Sequence, residues 1–396
     1  MRRSVLLTTL PPTKGGVPTK TRILAEFLRR RGYSVTIAHY ATMTDFGDQS
    51  APSWEMLRGK RASTAHGTCF DDFDSIAVGC TMPELEFNYY RNSDLWRSVY
   101  ADYDRHIAVG GTVLVSNPLV ELNIPHFTWC ASTMIDDRYD RRRAMPLARR
   151  LIDTALVGPV QRAMEKRILS EPTRFMTVSN YARRTLIDAG GNPDNFETVP
   201  VPVDTNLFSP PDEVPVGKIG FAGRADDPRK NIRLLLHAFR IVARKDSGAE
   251  LILTGDPLPT LQSEILSFGL SGRVRWTGWL DHDGLRDFYR SLDVFVFPSH
   301  KEGLGIAGIE AMASGVPVVS TRSGGPEDYV IDGETGRIVG NDPIEMAEAI
   351  SSIYTDRINR DRLSANALDM IHNKYTLGLF EKSISTNWQQ TWGETL

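Results

Sequence analysis

The chain has 396 residues, enough for two ordinary domains, and its 41% apolar and 24% charged content excludes a disordered or collagen-like chain. Forty-six Lys and Arg against 49 Asp and Glu leave a net charge of −3, so no global basic excess points to nucleic acid. Cys69, Cys80 and Cys130 form an odd set without metal-type spacing, which argues against a disulfide framework or a zinc site and for a reducing, cytoplasmic setting. The opening MRRSVLLTTL carries only a short apolar run after its arginines, below the ~7–15 residues of a signal core. No stretch approaches the ~20 apolar residues of a membrane-spanning helix.

In chain order, Ser4–Leu10 is predicted as a buried strand, followed by a Pro/Gly loop from Pro11 to Pro18. An amphipathic helix is expected from Thr19 to Arg31, with Ile23, Leu24, Phe27 and Leu28 at helical spacing and Gly32 as the stop. Tyr33–Tyr40 is the next strand. This βαβ unit implies a parallel sheet covered on both faces. Ser75–Gly79, His106–Val109 and His126–Cys130 are further strand candidates, while 45–72 is polar and takes no assignment. From Thr198 to Pro215 five prolines mark a domain linker. Beyond it, strands are expected at Lys218–Ala222, Glu250–Thr254, Val274–Gly278, Val294–Pro298, Val316–Ser320 and Gly336–Val339. Helical patterns at Asn231–Arg244, His282–Ser291 and Ile309–Ser314 alternate with them, and from Pro343 onward the pattern is all helical. Two doubly wound α/β domains are expected, with ligand at the carboxyl ends of their strands.

Gly303-Leu304-Gly305-Ile306-Ala307-Gly308 matches G-x-G-x-x-G literally, and Glu327 follows 19 residues later, as in a dinucleotide site. Two facts weaken that reading. The glycines do not lie in the first βα turn of their domain, and Ser299-His300-Lys301-Glu302 separates them from the preceding strand. The physical content survives, because glycines at a helix start let backbone N–H groups approach a phosphate.

Glu302 and Glu310 flank this loop at E-x7-E spacing. They can accept hydroxyl hydrogen bonds from a sugar nucleotide, or Glu310 can merely complement the helix dipole. Gly223-Arg224 ends the strand after the linker, and Lys230 stands before the next helix. An arginine fork and a lysine point charge suit a diphosphate, although both also suit a solvated loop.

Gly223-Arg224…Lys230, Leu253-Thr254-Gly255-Asp256, and Glu302-Gly303-Leu304-Gly305…Glu310-Ala311-Met312-Ala313 followed by Gly315-Val316-Pro317 resemble retaining glycosyltransferases of family four, glycosyl transferases group 1. Pro202-Val203-Asp204-Thr205-Asn206-Leu207-Phe208 is similar to that family's P-N-G-V-D-x-x-x-F linker without its Asn-Gly pair. Gly324-Gly325-Pro326-Glu327, Asp332-Gly333-Glu334-Thr335-Gly336 and the amino-terminal Gly15-Gly16-Val17 also fit the pattern. The similarity is strong over 198–340 and thin in the first half.

The resemblance implies the α/β GT-B fold: two Rossmann-like domains facing across a cleft, 1–203 on the acceptor side and 204–374 on the donor side. A last helix, 375–396, would cross back onto the first domain, the alternative being a helix packed on its own domain. It implies a retaining transfer of sugar from a nucleoside-diphosphate sugar to an acceptor hydroxyl by front-side attack. Gly223, Arg224 and Lys230 would serve the donor diphosphate, and Glu310 the ribose. Glu302 and the backbone of Gly303, Leu304, Gly305 and Ile306 would serve the sugar and distal phosphate, with Gly16 near phosphate or acceptor. Arg224, Lys230 and Glu302 would be the catalytic groups. No separate cofactor is implied, and a UDP-sugar stands ahead of a GDP-sugar by family frequency alone.

Where the family commonly has a histidine, this chain has Ile124-Pro125-His126-Phe127-Thr128-Trp129-Cys130-Ala131-Ser132, with the expected position close to Ala131. Ser132, Thr133 or Asp136 could contact the sugar instead, and His126 and His106 read as structural strand residues. Asp281-His282-Asp283 has a metal-binding D-x-D form, but helix capping explains it, so no metal is expected. Between Arg138 and Arg167 nine basic residues stand against three acidic ones, an excess of +6 interleaved with Met145, Leu147, Leu151 and Ile152. This is either a solvated helical face, a peripheral contact with an anionic membrane, or a binder of an acidic acceptor. The acceptor, a small molecule, a glycan or a lipid-linked sugar, is not encoded in the motifs. An epimerase or phosphorylase of similar fold, and a non-catalytic two-domain sugar-binding protein, are the rival classes.

Overall fold

The computed structural model describes residues 4–13, 15–212 and 217–396. Fourteen strands are found among them. The first eight are β1 (Ser4–Thr9), β2 (Ser34–Tyr40), β3 (Thr64–Cys69), β4 (Phe73–Val78), β5 (Arg105–Val109), β6 (His126–Cys130), β7 (Arg174–Thr177) and β8 (Phe196–Thr198). The remaining six are β9 (Lys218–Phe221), β10 (Glu250–Leu253), β11 (Val274–Trp276), β12 (Val294–Phe297), β13 (Val318–Thr321) and β14 (Gly336–Val339).

The chain forms two compact units: residues up to Val199 together with Glu381–Leu396, and Pro200–Phe380. The passages between units therefore lie a few residues from 203/204 and 374/375. Thr177 accepts from the Val199 N–H at 2.7 Å, and the Trp129 indole donates to the Val199 carbonyl at 2.9 Å. Four residues later, Val203 donates instead to Tyr375, at 2.9 Å, within the second unit. Of the linker prolines, Pro215 lies outside the described residues.

The first unit holds an eight-stranded sheet in the order β3-β4-β2-β1-β5-β6-β7-β8, parallel throughout except for the β3–β4 pair. From Val5 to Thr9, β1 is buried at every residue, as a strand covered on both faces must be. Its neighbours pack Leu6, Ala38, Tyr40, Ile76 and Trp96 on one side. The helix after β1 runs Gly16–Arg30, three residues earlier than its apolar pattern suggests. Pro18 is tolerated there because the first helical turn needs no internal N–H donors. The unassigned stretch 45–72 contains a short helix, Ser53–Met56, and the antiparallel strand β3. No residue of Thr64–Cys69 is fully buried, so pairing with β4, not burial of an apolar face, makes it a strand. The sequence reading also omitted β7 and β8, which are four and three residues long.

The second unit holds a six-stranded all-parallel sheet, β11-β10-β9-β12-β13-β14. Its core contains Ile219, Phe221, Leu251, Leu253, Val294 and Val296 from the strands and Leu235, Leu236 and Phe239 from helix Ile232–Lys245. Helices Pro343–Tyr354 and Arg357–Lys374 complete it. The last helix, Leu377–Trp392, belongs from Glu381 onward to the first unit. There Trp388 is fully buried with its ring 4.9 Å from Tyr33, Asn387 donates to Glu197 at 2.7 Å, and Glu381 pairs with Arg30 at 3.0 Å. Among the described residues no helix is long and apolar enough to cross a membrane.

Candidate functional site

In the second sheet the strand order reverses between β9 and β12, which lie side by side. The chain leaves β9 toward β10 and leaves β12 toward β13, so the two following loops flank one crevice at the carboxyl ends, where doubly wound sheets bind ligand. All the sequence-predicted donor residues except Gly16 sit on these two loops or on helix Ile306–Ala313 behind the second.

The loop after β9 is shaped by Gly223, whose φ of 147° suits only glycine and whose N–H donates to the Thr254 hydroxyl at 3.1 Å. A Cβ there would press on the Phe221 ring at 3.2 Å, while the Lys230 stem runs alongside at ordinary contact distance. Asp227 organises the turn before Lys230. Its carboxylate accepts from Arg224 at 2.9 Å and from Arg229 at 2.7 Å, and it caps the turn Pro228–Lys230 by accepting the Arg229 N–H at 3.1 Å. Burial alone would raise the Asp227 pKa, but the Arg229 hydrogen bond and charge, with Arg224 behind them, hold it well below the usual carboxylate range. Arg224 keeps 39% of its side chain exposed and is available to a ligand.

The two loops meet through their charges. Lys230 Nζ pairs with Glu302 Oε1, the side chains being only 18% and 10% exposed, and Arg229 accepts the His300 N–H at 2.8 Å. Ser299 donates to the same Oε1 of Glu302 at 2.8 Å. Glu302 is further fixed by its backbone, donating to Ser323 at 3.0 Å and accepting from Gly325 at 2.9 Å. A Cβ on Gly325 would stand 2.3 Å from the Gly303 carbonyl oxygen, so this contact admits only glycine. Gly305, at φ 81°, opens helix Ile306–Ala313, and Tyr329 donates to its carbonyl at 2.8 Å. Gly308 packs against Phe297 and Tyr329, where a Cβ would come within 2.5 Å of each.

Glu310 projects from the same helix toward Tyr289, whose hydroxyl donates to it at 2.8 Å. It retains some open surface, yet burial pushes its pKa up to about 7 while the tyrosine hydrogen bond opposes the rise. Its carboxylate thus engages a neighbouring helix and does not simply complement a dipole. The literal dinucleotide fingerprint dissolves here. Residues 298–305 separate β12 from the helix, and Glu327 spends its carboxylate on the Gly324 N–H at 3.0 Å. Asp227, Ser299 and Tyr289 are the neighbours that sequence reasoning missed. Asp before Pro228 is a recognisable turn signal, whereas Tyr289 reads only as an apolar position of helix His282–Arg290.

Gly16 belongs to the first unit, where it begins helix Gly16–Arg30 beside the corresponding reversal between β1 and β5. Under this helix lies Lys20, absent from the sequence-based candidates. Its ammonium donates to the carbonyls of Gly110 and Trp129 at 2.7 and 2.9 Å, closing the carboxyl ends of β5 and β6. Burial lowers its pKa to about 7, the Cys130 thiol opposing. At the end of β6, Ser132 donates to Gly111 at 3.1 Å, Thr133 caps helix Met134–Ala144, and Asp136 accepts from Tyr181 at 2.8 Å. His126 lies at the opposite, amino end of β6, buried, in register with His106. Its Nδ1 lies 2.7 Å from the Ile124 carbonyl. In the D-x-D segment Asp281 caps helix His282–Arg290 by accepting from Gly284 at 2.8 Å, and Asp283 pairs with Arg286 at 2.8 Å.

Residues 217–356 match the family model for glycosyl transferases group 1. A stretch of 190 residues is 32% identical to the MMP α-(1→4)-mannosyltransferase of Mycolicibacterium hassiacum, covering 47% of this chain and 46% of that protein. Another of 218 residues is 31% identical to the GDP-mannose-dependent α-(1-6)-phosphatidylinositol monomannoside mannosyltransferase of Mycolicibacterium smegmatis, covering 50% and 57%. The chain thus spans about half the length of the curated relatives it matches. Among solved structures, the sucrose-phosphate synthase of Thermosynechococcus elongatus superposes with a TM-score of 0.77 at 19% identity, over 99% of this chain and 100% of that one. Residues 217–356 thus resemble the glycosyl transferases group 1 family, and the two doubly wound units have the GT-B fold.

Proposed function

We propose that the protein is a retaining glycosyltransferase that moves a sugar from a nucleoside-diphosphate sugar to an acceptor hydroxyl. The observation that carries this reading is the meeting of Lys230 and Glu302 across the β9/β12 reversal, within the family-matched residues and beside a glycine-shaped helix start. In the proposed reaction the bond between the anomeric carbon and the diphosphate oxygen breaks. The acceptor oxygen bonds to that carbon on the same face, and its proton passes to the departing phosphate. Negative charge grows on the diphosphate as the bond breaks, and Arg224 and Lys230 stabilise it most at that moment. Lys230 would exchange Glu302 for phosphate oxygen, freeing the carboxylate to accept hydroxyl hydrogen bonds from the sugar. Glu310 would take the ribose hydroxyls, and the backbone from Gly303 to Ile306 the distal phosphate.

The proposed chemistry needs no metal, because these two cations carry the charge, and the aspartates at 281 and 283 already serve helix capping and Arg286. The donors to compare are a UDP-sugar, expected from the sequence, and GDP-mannose, named for the Mycolicibacterium smegmatis relative. The test is release of nucleoside diphosphate from each donor, with and without candidate acceptor hydroxyls and in the presence of EDTA, followed by NMR assignment of the product's anomeric configuration. Slow release accelerated by an acceptor, unaffected by EDTA and giving the donor's configuration, supports the proposal. Inversion, or no turnover with either donor class, refutes it.

A further inference from the structure

The arginine-rich segment that the transfer reaction leaves unused splits into an inner and an outer set. Arg138 turns inward, pairing with Asp153 and with Glu86 at 3.0 Å, and Arg149 joins it on Glu86 at 2.6 Å. Asp137 pairs with Arg141 at 3.2 Å, and Asp140 and Asp153 are buried beneath the helices. The outer set keeps its charge. Arg142 is exposed at the end of helix Met134–Ala144, and Arg143 lies on the exposed Tyr139 ring, 4.3 Å from its centroid. Arg150 donates only to neutral carbonyls, those of Arg142, Arg143 and Met145 at 3.1, 2.6 and 3.2 Å. These bonds fasten helix Leu147–Ile152 to the one before it.

Beside these cations the next turns present apolar side chains to solvent. Leu147 and Leu151 are 75% and 71% exposed, four residues apart on one helical stripe. Ile152 and Leu156, the next such pair, are 47% and 43% exposed. A soluble surface scatters its exposed leucines singly, whereas this one gathers them beside Arg142, Arg143 and Arg150, which have no carboxylate partner among the described residues. Apolar side chains projecting from a rim of arginines match an interfacial lipid layer: the leucines reach the acyl boundary while the guanidinium groups stay among the phosphates.

We propose that the face formed by helices Met134–Ala144 and Leu147–Ile152 and the turn after them docks on an anionic phospholipid surface. The test reads binding and not turnover, so it stands apart from the transfer proposal. The full chain is sedimented with phosphatidylcholine vesicles and with vesicles that also contain phosphatidylglycerol, at low and raised salt. Co-sedimentation is expected with the anionic vesicles and reduced by salt. Each arginine near such a surface is worth about fivefold, so R142A/R143A should weaken binding about 25-fold. L147S/L151S should weaken it on the order of 100-fold. Because these residues are exposed, near-UV circular dichroism of both variants should match the parent. Equal binding to neutral vesicles, no binding to either, or variants that bind like the parent would overturn the proposal. So would a concentration-dependent dimer that L147S/L151S abolishes while vesicle binding is absent.

Discussion

Lys230→Ala separates what the lysine does for the fold from what it is proposed to do in the transfer reaction. In the folded chain Lys230 neutralises Glu302, with 18% and 10% of the side chains exposed. Removing one partner of a fully buried pair costs about 3–5 kcal/mol, and an exposed pair is worth about 0–1 kcal/mol. This half-wet pair should lie between, at about 2–3 kcal/mol, which lowers the melting temperature by roughly 5–10 °C for a unit of this size. The cost arises because Glu302 is left charged and unpaired. A second substitution, Glu302→Gln, removes that charge and should restore most of the melting temperature. Turnover follows another rule. Loss of one preorganised cation from a developing diphosphate charge costs about 3–4 kcal/mol, or 10²–10³ in rate. K230A and K230A/E302Q should therefore both lose at least about 100-fold in kcat/KM, although only the first is destabilised. The assays are differential scanning calorimetry and steady-state release of nucleoside diphosphate. A K230A enzyme that turns over within a few-fold of the parent would refute the catalytic assignment and leave the lysine a structural counter-ion.

Three other outcomes follow from the same geometry. Arg224→Ala should lower kcat/KM at least about 100-fold with little change in melting temperature, since Asp227 retains Arg229; a variant with near-normal turnover removes Arg224 from the clamp. Glu310, with its pKa pushed up to about 7, would in the proposed ribose role accept hydroxyl hydrogen bonds best when ionised. Donor KM should thus rise as pH falls below about 7, approaching tenfold per unit, and Glu310→Gln should flatten the profile; a parent profile already flat between about pH 6 and pH 8 contradicts the ribose role. The sign for stability is the reverse. The folded chain holds this proton to higher pH than the unfolded one, so the contribution is full below about 4.5 and is lost as pH rises through about 7. Gly325→Ala places a Cβ 2.3 Å from the Gly303 oxygen and 2.5 Å from Leu304 Cα. The loop carrying Glu302 must move, and a displacement near 1 Å costs on the order of 100-fold in kcat/KM; unchanged kinetics would show that this loop does not position donor.

Much of this protein is determined locally along the chain. The alternation of buried strands with helical stripes marks both doubly wound units, because a strand covered on both faces has to be apolar throughout. Positive-φ turns select glycine at 223 and 305, and Pro228 after Asp227 marks the turn that carries Lys230. Short elements escaped because their signal is not local: β3 is polar and exists through its ladder with β4, and β8 spans three residues. The folded unit alone decides what the charged groups do. Lys230 and Glu302 are 72 positions apart, and only the adjacency of β9 and β12 brings them together. The same holds for Tyr289 against Glu310 and for the arginine segment, whose excess charge divides into an inner ion-paired set and an outer one. Periodicity specifies which face of an element is buried, but the partner of a charge is set by the strand order, which no stretch of sequence contains by itself.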